Sequence, residues 1–229
     1  MVRFYTEFFG MRVLSREEFP EANFSNAVIG FESEETQFVL GLTQHHSAVD
    51  KLELGTAFSH FGITTQVKPP QASRFMKLHL AGGVITREPG PVAPGGTTIY
   101  AFVNDPDGYS LELLLRPPTP EPLNHMCLNV VDIDRSIDFY EKALGMNLLV
   151  PKYNNTEEQV AIGTDDAYKS AAVVVEQVIQ ELGGKIIRPP GPIPVIGTKI
   201  TAFLDSDGFE TVLVDNEDYL QYLKEVKKE

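Results

Sequence analysis

The strongest constraint on this chain is that it repeats itself. The run Phe4-Tyr5-Thr6-Glu7-Phe8-Phe9-Gly10-Met11 returns 135 positions on as Phe139-Tyr140-Glu141-Lys142-Ala143-Leu144-Gly145-Met146. A second set comprises Gly82-Gly83-Val84-Ile85, Arg87, Pro89-Gly90-Pro91 and Asp105-Pro106-Asp107-Gly108. It returns as Gly183-Gly184-Lys185-Ile186, Arg188, Pro190-Gly191-Pro192 and Asp205-Ser206-Asp207-Gly208, with an offset of 101 at the double glycine. Self-similarity of this kind means copies of one supersecondary unit, each of which needs its neighbour to bury its apolar face. Residues 1–116 form module one and residues 123–229 module two, and the proline-rich stretch 117–122 reads as the linker between them.

The change of offset locates a loss. Between Met146 and Gly183 the second copy is about 34 residues shorter than the first is between Met11 and Gly82. Module two in turn opens with Leu123-Asn124-His125-Met126-Cys127-Leu128-Asn129-Val130, and the counterpart of this segment in module one is expected to lie ahead of Met1. Both copies thus read as incomplete, in different places.

Each module alternates apolar periods. Asp132 can cap a helix on which Ile133, Ile137, Tyr140 and Leu144 share a stripe, stopped by Gly145. Strand-like runs follow in module one at 11–19, 24–31 and 37–42. The theme restarts with a strand at 58–65, a helix around 71–80, and strands at 84–87, 97–104 and 109–115. Module two repeats the second half, with a strand at 158–163, a helix at 165–182 and three strands. The pattern is a β-α-β-β-β unit written twice per module, so the expected class is α+β with mainly antiparallel sheet and strands missing from both modules.

Charge and cysteine usage narrow the partners. With 19 basic and 32 acidic residues the net charge is −13, which repels phosphate backbones and anionic lipid, so neither nucleic acid nor a membrane is an expected partner. The longest apolar run, 171–179, is broken by Glu176 and falls far short of a membrane span. Cys127, the one cysteine, has no internal partner for a disulfide, which fits a reducing compartment. The first residues lack the character of a signal or transit peptide. The cytoplasm is therefore the expected compartment, with a plastid the alternative if a transit peptide precedes this chain. A monomer is expected, with association through open sheet edges as the alternative.

Strand parity singles out the chemically active side chains, because alternate residues share a face. Glu112 stands in the apolar run Leu111 to Leu115, where a carboxylate needs water, a cation or a metal, unless that face is simply open to solvent. His60 shares its face with Gly62 and Thr64, a surface of small residues. His125, Cys127 and Asn129 form one face of the opening strand of module two, and Met126, Leu128 and Val130 the other. Two imidazoles and a carboxylate suit a borderline divalent cation such as Zn²⁺ or Ni²⁺; a histidine in a strand is otherwise most often a hydrogen-bonded core or surface residue. His45 and His46 read as solvated loop residues and His79 as a surface residue. Asp105-Pro106-Asp107-Gly108 reads as a hairpin turn that places the strand of Glu112.

Taken together, the doubled Phe-Tyr-x-x-x-x-Gly-Met, Arg87-Glu88-Pro89-Gly90-Pro91, Asp105-Pro106-Asp107-Gly108-Tyr109 and Val214-Asp215-Asn216 resemble the two-module, plant-type glyoxalase I family (lactoylglutathione lyases) of the vicinal oxygen chelate superfamily. The resemblance runs essentially from end to end. It implies paired β-α-β-β-β units around one divalent metal ion, Ni²⁺ or Zn²⁺, with His60 and Glu112 of module one meeting His125 of module two. The fourth ligand of the family would fall in the stretch absent from module two. The resemblance further implies isomerisation of the methylglyoxal–glutathione hemithioacetal to S-lactoylglutathione through a metal-stabilised enediolate, with Glu112 as the catalytic base. Asn129, where the family has an arginine, is the expected substrate contact. A second site of the family is expected to lack ligands, because Gly41, Gln159 and Val212 stand at its positions. The alternative reading is a truncated member without turnover, acting at most as a metal or small-molecule binding module.

Overall fold

Each repeat carries a helix whose aromatic pair is turned inward. In the computed structural model, which describes residues 1–47, 53–65, 78, 81–91, 96, 99–148, 162–163, 175–193 and 197–226, the helical turn Val2–Phe4 widens into a π turn over Tyr5–Phe9, and Ile133–Leu144 forms a regular α-helix. Asp132 caps the latter by accepting from the Arg135 backbone N–H at 3.0 Å, and Gly145 ends it in the left-handed region at φ 67°. The residues it buries are Ser136, Phe139, Tyr140 and Ala143, so the inward stripe is centred beside the expected Ile133, Ile137, Tyr140 and Leu144 line. The difference follows from size, since Phe139 is fully buried and its ring lies 6.0 Å from that of Phe203.

Strands β1 (Arg12–Phe19), β2 (Phe24–Gly30) and β3 (Leu40–His45) form an antiparallel sheet in sequence order. The third starts three residues later than the pattern suggests and carries on into His45, whose ring faces Phe24 at 6.1 Å. His46 follows the strand, exposed, with Nε2 3.6 Å from Glu18. A second sheet holds β4 (Phe58–Thr65), β5 (Val84–Pro91), β6 (Ile99–Asn104), β7 (Ser110–Leu115) and β8 (Leu123–Leu128) in the order β5-β6-β7-β4-β8. Here β4 runs parallel to β7 and antiparallel to β8. The helix expected around 71–80 lies outside the described residues apart from Leu78, which is fully buried.

The chain divides into two compact units, Met1–Leu128 and Asn129–Glu229. The repeat boundary and the packing boundary therefore differ by one strand. Leu123–Leu128 belongs by sequence to module two, but it pairs with β4 of module one. The linker ahead of it is pinned to that sheet by the Thr64 backbone N–H, which donates to Pro122 O at 2.7 Å, and to the segment before β3 by Gln37 Nε2, which donates to Pro120 O.

The second unit pairs β9 (Asn147–Leu148) with β10 (Ile162–Gly163), and β11 (Lys185–Pro192), β12 (Lys199–Leu204) and β13 (Glu210–Val214) form an antiparallel sheet. A helix at Val175–Glu181 precedes that sheet. A further helix, Asn216–Val226, follows it, beyond the last element that the sequence pattern predicts; Asp215 caps it by accepting from the Asp218 N–H at 3.1 Å.

The repeated motifs fasten each unit internally. Tyr5 Oη donates to Asp105 Oδ2 at 2.8 Å while Asp105 Oδ1 accepts from the backbone of Asp107 and Tyr109. Tyr140 and Asp205 do the same at 2.7 Å, with Asp207 and Phe209 as the backbone donors. Burial, and the carboxylate beside it, raise both phenols above their ordinary range. The double glycines answer to packing. A Cβ on Gly83 would come within 2.6 Å of the Phe4 ring, and one on Gly184 within 2.8 Å of Phe139, so the second glycine lets the helix aromatics approach.

Candidate metal and active site

The five-stranded sheet brings the singled-out residues onto one face. Register aligns Glu112 of β7 with Gly62 of β4, and Gly62 with His125 of β8, so that a carboxylate, a glycine and an imidazole stand in a row across three strands. Two residues along β4 on the same face is His60, opposite Cys127. His60, Glu112 and His125 thus come together on one face. His60 Nε2 lies 3.7 Å and His125 Nε2 3.3 Å from the same oxygen, Glu112 Oε2.

Gly62 makes the meeting possible. A Cβ there would fall inside the His125 ring. The imidazole lies directly on the glycine's backbone, and any larger residue would push it away from Glu112. The edges of the cluster are aromatic: Phe102, opposite Glu112 on β6, sets its ring perpendicular to that of His60 at 5.2 Å.

Both imidazoles are held through the nitrogen that faces away from Glu112. His60 Nδ1 lies 3.0 Å from Ser59 Oγ. His125 Nδ1 donates to Asn124 Oδ1 at 2.5 Å, and the Asn124 amide is itself oriented by donating to Thr64 Oγ1 at 2.8 Å and to Pro122 O at 3.1 Å. Arg116 Nε also donates to Thr64 Oγ1, at 2.9 Å. This chain of partners leaves Nε2 of His125 free to present its lone pair towards Glu112, the arrangement that metal-binding histidines adopt.

The electrostatics are those of a tightly coupled cluster. Burial opposes ionisation of each member, but the groups favour one another's charged forms. Burial would lift Glu112, yet the imidazoles of His125 and His60 bring it down to about 2. Burial would lower the two histidines, yet Cys127 and Glu112 raise each to about 9. The Cys127 thiol, which burial would raise, is drawn down to about 7 by His125 and His60.

Three observations fit a divalent cation here. One ring nitrogen of each histidine and the sulfur of Cys127 lie within 4.8 Å of one another. His60 Nε2 is buried without a hydrogen-bond partner, although the residue is only 3% exposed. A buried polar atom left so carries a cost that a bound ion removes. The donors, two imidazoles with a carboxylate and a thiol, are those of borderline metals.

Cys127 is the residue that parity places on this face without assigning it a role. The signal is present in its spacing from His125, two positions along one strand. Asn129 is exposed just beyond the end of β8 and opens the second compact unit. Of the positions expected to have lost a second site, Gly41 meets nothing where a Cβ would stand, Val212 is 46% exposed, and Gln159 lies outside the described residues. Arg87 lies over the Tyr100 ring at 3.9 Å, a structural cation–π contact. His79 is outside the described residues.

Comparison with known proteins points to one family. The family model of the glyoxalase/bleomycin resistance protein/dioxygenase superfamily matches residues 1–113 and 122–176. The chain is 46% identical to the lactoylglutathione lyase of Arabidopsis thaliana over 97% of its length and 89% of that protein's. It is likewise 46% identical to the lactoylglutathione lyase of rice, Oryza sativa subsp. japonica, over 97% and 87%. The rice alignment runs to 258 positions, more than the 229 residues of the chain, so that relative carries residues this chain lacks. Among solved structures, glyoxalase I from Zea mays superposes with a TM-score of 0.80 at 43% identity, covering 97% of this chain and 89% of that one. Among the described residues no helix is long and apolar enough to cross a membrane.

Proposed function

The chain belongs to the glyoxalase/bleomycin resistance protein/dioxygenase superfamily, and from that premise we propose that it is a lactoylglutathione lyase whose reaction is carried by Glu112 between His60 and His125. It isomerises the hemithioacetal formed from methylglyoxal and glutathione to S-lactoylglutathione. The observation that carries the assignment of residues is the single carboxylate oxygen facing both imidazoles, at 3.7 and 3.3 Å, on a face cleared by Gly62.

His60, His125 and Glu112 would hold a divalent ion, Zn²⁺ or Ni²⁺, whose charge stabilises negative charge developing on the substrate oxygens. Glu112 acts as the base. Held well below the ordinary carboxylate range, it is ionised at any working pH. It takes the proton from the carbon bearing sulfur and hydroxyl, the C–H electron pair moves into a carbon–carbon double bond, and the neighbouring carbonyl becomes an enediolate oxygen. The same carboxyl returns the proton to the second carbon, and the hydroxyl proton of the first carbon passes to the oxygen of the second, leaving a thioester carbonyl beside a new hydroxyl. His125, fixed through Asn124, keeps Glu112 aimed. Asn129, exposed beside the end of β8, meets the glutathione moiety. The compartment we assign is the cytoplasm, with a plastid the alternative. The non-catalytic reading gains nothing from relatives named as lyases that align along 97% of the chain.

The test is direct. Purified chain with Zn²⁺ or Ni²⁺, methylglyoxal and glutathione is followed by thioester absorbance. Turnover that falls by roughly 10²- to 10⁴-fold in Glu112→Gln supports the assignment; turnover unchanged by that substitution overturns it.

A further inference from the structure

We propose that Cys127 is itself a ligand of the cation, joining His60, His125 and Glu112, so that His60, His125 and Cys127 keep hold of the ion while Glu112 leaves it to act as the base. The proposal rests on the reading of this cluster as a metal site and adds a donor to it.

Three independent features point to the sulfur. The strand register places Cys127 directly opposite His60 and two residues from His125 on the same face, with its sulfur and a nitrogen of each imidazole within 4.8 Å of one another. Nε2 of His60, almost wholly buried, has no hydrogen-bond partner. Cys127 is 6% exposed and is the only cysteine in the chain, so its thiol has no disulfide partner here. A buried cysteine in apolar surroundings is a small hydrophobe; one facing two imidazoles is placed to act as a metal donor.

On binding, the S–H bond breaks, its proton passes to solvent, and the sulfur lone pair is donated to the ion, with no change of oxidation state. A set of three protein donors with room for further ligands is the pattern of catalytic rather than structural sites. The thiolate also biases the site towards thiophilic ions such as Zn²⁺ and Co²⁺ and against Mg²⁺.

Cobalt makes the sulfur visible. The full-length, metal-free chain is titrated with Co²⁺ alone, and its near-ultraviolet and visible absorption recorded. With one thiol in the chain, a saturating 1:1 complex with an intense near-ultraviolet thiolate-to-cobalt charge-transfer band can only report Cys127. In Cys127→Ser that band is expected to vanish, while the weaker visible bands persist and Co²⁺ affinity falls by about tenfold or more. Co²⁺ that binds at 1:1 without the charge-transfer band, and equally tightly in Cys127→Ser, overturns the role of Cys127 and leaves the histidine–glutamate site standing. Absence of any stoichiometric binding overturns the site and the proposal together. The band is read on the parent chain, so the result does not depend on the variant folding.

Discussion

Strands β7 and β13 are the same strand written twice, and they do different work. Each follows an Asp-x-Asp-Gly turn whose first aspartate is locked to a helix tyrosine, and each closes an antiparallel pair with the strand before it. In β7 the third residue is Glu112, 12% exposed and facing two histidines. In β13 the third residue is Val212, 46% exposed and paired with Ala202. The Tyr–Asp lock and the double glycine are present in both units, while among the described residues the cluster of two histidines, a glutamate and a cysteine is found in the first. Scaffold and chemistry are therefore separable: the motifs that make the repeat recognisable are fastenings, and the chemistry sits on residues the repeat does not require.

Breaking the chemistry of the first unit is expected to have the largest effect. Gly62→Ala places a methyl where the His125 ring lies, so stoichiometric metal binding and turnover should both be lost, at a cost of about 1–3 kcal/mol in stability. Metal analysis and thioester formation measure the first two, urea unfolding the third. Gly41→Ala in the first sheet, where a Cβ meets nothing, should leave metal content and turnover intact.

The fastenings should respond equally in both units. Tyr5→Phe and Tyr140→Phe each remove the hydroxyl that satisfies a buried aspartate, costing about 1–3 kcal/mol apiece by thermal or urea unfolding. Metal stoichiometry should stay at its parental value in the Tyr140 variant. A much larger loss in one unit than in the other would show that the two locks are not equivalent.

A second contact test lies in the positioning chain. Asn124→Ala removes the acceptor of His125 Nδ1–H and should weaken Zn²⁺ binding by about 10- to 100-fold, measured by competition with a chelating dye. Asn124→Asp, which keeps the acceptor, should restore most of it.

The smallest effect is on pH dependence. In metal-free protein the histidines, raised to about 9, stabilise the first unit fully below about pH 6.5, and that contribution is lost as pH rises through 9. Glu112, lowered to about 2, contributes above about pH 4.5 and loses its contribution as pH falls towards 2. The hydrogen-exchange protection factors of strands β4 and β8 should therefore fall between pH 7 and 9, while those of β12 and β13 change little. Metal affinity should run the other way, strengthening as the ligands lose protons.

Much of this is legible in the linear pattern. Strand Phe58–Thr65 falls where alternation puts it; the parity of that strand, of β7 and of β8 marks His60, Glu112 and His125 as candidates, and the family resemblance gathers the three into one expected site. The helix Ile133–Leu144 begins and ends at its cap residues because capping is local chemistry. The C-terminal helix escapes the pattern because its start signal is one aspartate, Asp215, in a run that also reads as the end of a strand. Strand β3 begins late because its apolar run starts before its pairing does, and pairing with β2 sets the boundary.

Repeat, fold class, turn chemistry and the identity of the charged residues in apolar strands are properties of the chain alone, since they rest on local conformational preference and on periodicity. Which of those residues meet is another matter. That β4 lies between β7 and β8, that Gly62 leaves space for an imidazole, and that Cys127 stands opposite His60 depend on non-local strand order and register. No local preference encodes these. The tertiary structure decided them by burying two apolar sheet faces at once, and in doing so drew the donors into one site.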